Sequence, residues 1–211
     1  MKSVFPQAFQ ATMKQDLGSP RTKQDVLHAL ASLNARELQF WLGIEPERFI
    51  RPFGEAWSPA DTLRHLIKST VPVTRALKLP RLAIRVLFGQ GWDPSTPYLD
   101  LVKRYRAVLA AGGKAGRFSP SPVRAPANVR AWQESLVAEC QSAVLALSAA
   151  VVPWTERDLD RCRLPHPLLG KLTIREMLFF TLYHYEHHRA IIAGRLVSDG
   201  RGDGELLINI L

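Results

Sequence analysis

The chain has 211 residues, 46% hydrophobic and 22% charged, and its 28 Lys and Arg exceed its 19 Asp and Glu for a formal charge of +9. This length suits a single domain with one buried core, and the composition excludes disordered, fibrous and disulfide-stapled classes. The longest apolar run, residues 143–152, is interrupted only by Ser148 and falls short of the roughly 18 residues of a membrane span, so no membrane partner is expected. Residues 1–20 are mixed and polar, ending in Gly18-Ser19-Pro20, and read as a loosely attached lead-in to a single domain over 21–211. From Thr22 the pattern turns helical, with Val26, Leu27, Leu30, Leu33, Leu38 and Trp41 recurring at mostly three- and four-residue steps. Ser58-Pro59-Ala60-Asp61 opens a second helix, with Ser58 as N-cap, Pro59 at the first helical position and Asp61 in the first turn. That helix turns Leu63, Leu66 and Ile67 inward with His65 among them, and Pro72 is expected to kink or end it.

Residues 77–126 read as an insertion holding a short helix or extended piece near Leu82–Phe88, a modest helix from Tyr98 to Ala111, and a proline-rich connector. Gly89-Gln90-Gly91 and Gly112-Gly113-Lys114 fit neither a dinucleotide nor a phosphate-loop spacing. A third strong helix, from about Asn128 to Ala150, carries Trp132, Leu136, Val137, Cys140, Val144 and Leu147 on one stripe. His166-Pro167-Leu168-Leu169-Gly170 then forms a loop, and Thr173 with Glu176 makes a capping box that starts the last helix. The stretch Ser198–Gly204 reads as a flexible turn, its RGD tripeptide without an adhesive role, and Leu206–Leu211 as an apolar tail that docks on the bundle or on a second copy. Long helices with almost no period-two alternation predict an all-α bundle.

The last helix contains Tyr183-His184-Tyr185-Glu186-His187-His188, three of the six histidines in five positions. His184 and His188 lie about 40° apart on one helical face, one turn up, so two imidazoles reach one cation. Such a pair also occurs as a hydrogen-bonded patch, and it is not the HExxH of zinc proteases, because Glu186 points away from His184. A third ligand has to come from elsewhere. His65, beside a strong cap on an amphipathic helix, is the candidate, which gives a metal set of His65, His184 and His188 with an open position. His187 is the alternative third member. Asp61 is placed to orient His65, although capping already accounts for it. His166 is the candidate acid or base near the mouth of the site.

Trp57-Ser58-Pro59-Ala60-Asp61-Thr62-Leu63-Arg64-His65-Leu66, the lead-in from His166 to Leu178, and Tyr183 to Arg189 together resemble the DinB-like superfamily. The resemblance implies a four-helix bundle, often dimeric, that holds a divalent metal on three histidines at His65, His184 and His188. The 77–126 insertion departs from compact members and is positioned to reshape a substrate pocket. Family members include transferases that use low-molecular-weight thiols, and thiol-dependent isomerases. A metal-dependent S-transferase acting on a small molecule is therefore expected, with a metal-dependent hydrolase or a non-catalytic metal-binding bundle as alternatives. Three neutral imidazoles leave the cation its charge, which can lower the pKa of bound water to about 7 or bind a thiol as thiolate. Zinc and nickel are favoured, with iron and manganese as alternatives. Cys140 and Cys162 form no CxxC, and residues 1–6 lack a signal-peptide core, so a cytoplasmic location with two incidental thiols is expected. The basic residues are scattered without a reading motif, so no specific nucleic-acid partner is expected.

Overall fold

A computed structural model of the chain describes residues 19–208 apart from 122, 124 and 125, with side chains described up to 199. Most of the expected lead-in and the end of the apolar tail thus lie outside the described residues. Helix α1, Lys23–Leu42, begins at a capping box between Thr22 and Asp25, and α2 is the single turn Pro46–Ile50. Helix α3, Pro59–Leu77, starts as its sequence dictates, with the Ser58 side chain accepting from the Asp61 amide. It does not stop at Pro72. Lys68 and Pro72 both lie on the exposed face, where water can take the carbonyl that the missing proline N–H leaves unbonded.

The 77–126 segment forms α4 (Arg81–Phe88), α5 (Tyr98–Ala110) and a 3₁₀ turn, Gly116–Phe118. Helix α6, Val129–Val151, is capped by Asn128, and a short α7, Glu156–Arg161, follows. By length and composition α6 is apolar enough to cross a membrane, which counting unbroken runs does not show. In this fold it is the central helix, packed on both α1 and α3.

The chain then makes a hairpin that periodicity did not foretell. Strand β1, Arg163–His166, pairs antiparallel with β2, Gly170–Thr173, in the register Leu164 to Leu172 and His166 to Gly170. Four residues per strand are too few to show an alternating pattern. Gly170 at φ 75° supplies the left-handed residue of the turn. The hairpin delivers Thr173 to the start of α8, Ile174–Ile208, where the capping box forms in both directions. The Thr173 amide donates to Glu176 Oε2 at 2.8 Å, and the Glu176 amide to Thr173 Oγ1 at 3.1 Å. Helix α8 continues through the stretch expected as a turn, because its glycines raise the helical cost by only about 1 kcal/mol each and no proline interrupts it. The four long helices α1, α3, α6 and α8 make the bundle, with α8 packing on α1, α3, α5 and α7.

One acid sits inside this core. Glu37 is 2% exposed, accepts from Trp41 Nε1 at 2.5 Å and lies 3.5 Å from Arg189 Nε. Burial pushes its carboxyl up from 4.5 to about 7, against the opposing pull of Trp41, Arg189 and Arg36. The folded state therefore holds this proton more tightly than the unfolded chain. Its contribution is full below pH 4.5 and is lost as pH rises through about 7. Glu37→Gln is expected to remove a loss of about 3 kcal/mol across that window. Urea denaturation of both proteins at about pH 5 and pH 8 checks it; parallel pH profiles would contradict it.

Candidate metal centre

Helix α3 presents His65 and helix α8 presents His184 and His188, one helical turn apart, to a common point in the bundle. His65 Nε2 lies 3.0 Å from His184 Nε2, which lies 3.1 Å from His188 Nε2. One ligand nitrogen from each ring falls within 4.8 Å of the others. Bonds of about 2.0–2.1 Å to a tetrahedral cation would hold nitrogens about 3.3 Å apart, so small adjustments bring this set onto one ion.

The proton bookkeeping points the same way. His65 Nδ1 lies 2.9 Å from the Phe118 carbonyl, which can only accept, so Nδ1 carries the hydrogen and Nε2 is a bare lone pair. That lone pair faces the His184 nitrogen, and a shared cation satisfies all three nitrogens at once. A carbonyl fixing the tautomer of a ligating imidazole is the usual outer support of such sites.

Burial is the main cause that lowers the pKa of each of the three rings. For His184 and His188 the neighbouring imidazoles add to it, and for His65 the Lys68 charge adds while the Phe118 bond opposes. All three are held neutral, the form that binds metal. Packing fixes their planes: Phe180 stacks on His184 at 4.9 Å, and Trp57 lies 5.0 Å from His65 and stacks on His188 at 6.4 Å.

The histidines open onto a cavity of about 330 Å³ whose walls include Phe88, Tyr105, Leu109 and Phe118 from the inserted segment. The insertion thus builds part of the pocket. His187, the alternative ligand, lines the cavity between Tyr105 and Tyr183 and stands outside the three-nitrogen cluster. Asp61 does not orient His65. It is engaged by Ser58 Oγ at 2.8 Å and Arg64 at 3.3 Å, and the Phe118 carbonyl takes the orienting role. That role had no signal in the sequence, because any residue supplies a carbonyl and only the fold brings the 3₁₀ turn over α3. The stacking roles of Trp57 and Phe180 were equally silent, although Trp57 opens one of the motifs that point to the site and Phe180 adjoins another.

His166 closes β1 and is buried in the cavity wall against Phe180, with ring centroids 4.2 Å apart. Phe180 stands between it and the histidine cluster. Cys140 and Cys162 are both buried; the Cys140 thiol lies 3.8 Å from the Tyr185 hydroxyl and burial pushes it up to about 12. Neither cysteine lines the cavity.

A family model described as the DinB superfamily matches residues 20–192, a span that holds α1 to α7, the hairpin and all three clustered histidines. No curated protein and no solved structure matches the chain. With the match covering most of its length, together with the helical bundle and the convergent histidines, the chain belongs to the DinB superfamily.

Proposed function

We propose that the chain is a divalent-metal enzyme of the thiol-dependent transferase type, with zinc or nickel on His65, His184 and His188. The convergence of three neutral Nε2 atoms on one side of a largely apolar cavity carries this reading. A cation held there supplies a Lewis acid that makes a small thiol or a water more acidic at neutral pH.

The rest of the work falls to the chain. Phe118 holds His65 with its lone pair inward, and Trp57 and Phe180 keep the other two rings from turning. The apolar walls reduce the water around the reacting groups, which strengthens the charge interactions beside them. The buried thiols offer no protein nucleophile at the cavity, so a small thiol supplied from solution fits the site.

Purified protein without an affinity tag, loaded with zinc or nickel, should turn over an electrophilic acceptor only with a low-molecular-weight thiol present. The Cys140→Ser, Cys162→Ser double variant should keep that activity. Equal rates after chelation would contradict the reading, and metal-dependent turnover without thiol would replace it with hydrolysis.

A further inference from the structure

The cavity has a composition that selects its ligand. Val73, Phe88, Leu109, Leu164, Leu168 and Met177 give it long apolar walls, and the inserted segment adds Lys114 and Arg117. No Asp or Glu occurs among the described lining residues. Away from the three histidines, such a lining disfavours a ligand with a cationic group and favours an anion that carries a hydrocarbon body. Lys114 and Arg117 are both exposed and shared with water, which leaves His166 as the one fixed donor in the wall and matches a single anionic group.

His166 adds a fixed polar contact. Its Nδ1 accepts from two backbone amides, Leu168 at 3.2 Å and Leu169 at 3.1 Å, donors that the tight hairpin turn aims at the ring. With Nδ1 occupied as an acceptor, the neutral ring carries its hydrogen on Nε2, which has no partner among the described residues. Burial, with the Arg104 charge, lowers its pKa to about 4, in keeping with a ring that stays neutral. The geometry does not suit the acid–base role that its position beside the last helix suggested. The ring has no free lone pair with which to take a proton, and it is a donor only. In the cavity lining, this donor without a protein partner is available to a ligand oxygen.

We propose that the cavity binds an apolar-bodied monocarboxylate as the substrate's chemical class, with His166 Nε2–H donating to a carboxylate oxygen and Lys114 and Arg117 supplying the positive field. This rests on the cavity being the substrate site of the metal centre.

The test is calorimetric titration of chelated wild-type protein with octanoate, octan-1-ol, octylamine and acetate, with metal content measured on the same preparation before chelation. Octanoate should bind about a hundredfold more tightly than acetate, from its buried methylenes, and about tenfold more tightly than octylamine. His166→Phe should weaken octanoate about tenfold, with helical circular dichroism and octan-1-ol binding unchanged, and His166→Gln, which keeps an N–H donor, should recover part of the loss. Lys114→Gln with Arg117→Gln should narrow the preference for octanoate over octan-1-ol. Octylamine binding as tightly as octanoate, unaltered octanoate affinity in His166→Phe, or no octanoate binding to chelated protein would each overturn the assignment. Octanoate binding by a protein that retains no zinc or nickel after loading would uphold the assignment and remove the metal reading alone.

Discussion

Replacing His184 with alanine should lower metal affinity by more than about a hundredfold, beyond the 10–100-fold typical of changes to groups that merely support a ligand. His184 is the centre of the set, with its Nε2 3.0 Å from His65 and 3.1 Å from His188. Removing it takes away one of three bonds and also the contact that holds the other two nitrogens together. The helices do not depend on this ring: α8 is fixed at its start by the Thr173–Glu176 capping box and along its length by Leu178, Leu182 and Tyr185 in the core. Helical circular dichroism should therefore stay near wild type while bound metal, read by elemental analysis, falls close to zero. His187→Ala should keep full occupancy, because that ring stands outside the cluster. Retained metal in His184→Ala, or its loss in His187→Ala alone, would mean a different ligand set.

The largest expected loss of stability lies one layer deeper, at Trp41. This side chain is fully buried, donates from Nε1 to Glu37 at 2.5 Å and packs edge-on against Phe40. Its backbone carbonyl also receives the Gln133 side chain at 2.7 Å, which ties α1 to the central helix α6. Trp41→Ala should cost about 3–5 kcal/mol for the lost burial and the cavity left behind. Glu37 would also lose its donor in the core, adding to that cost. Trp41→Phe keeps most of the bulk and loses only the N–H, so it should cost less. Urea denaturation at constant pH measures both. A Trp41→Ala midpoint equal to wild type would show that the buried indole does not hold the bundle together.

Helix starts were legible in the sequence because their chemistry is local. Ser58 with Pro59, Asn128, and Thr173 with Glu176 each cap the helix that their residue types announce. The histidine cluster was legible for a related reason: a helix places His184 and His188 together whatever else the chain does, and a capped neighbouring helix offered His65. What depended on tertiary approach was hidden. The Phe118 carbonyl over His65 required the path of the inserted segment. The direction of the His166 ring required a hairpin too short to carry a pattern, and an acid–base role was the natural expectation without it. Glu37 reads as an ordinary charge on an amphipathic helix until α8 brings Arg189 against it. Pro72 failed as a stop signal because the exposed face of α3 tolerates the missing bond.

X-ray absorption on protein purified without an affinity tag tests the central claim most directly, since it reads the ligands of whatever ion the chain retains. With zinc bound, the account requires one ion per chain surrounded by three imidazole nitrogens at about 2.0–2.1 Å plus a water oxygen at the open position. The imidazole signal should be lost in His184→Ala. A protein that retains no divalent ion after zinc or nickel loading, or an ion in a shell without imidazole, would contradict it.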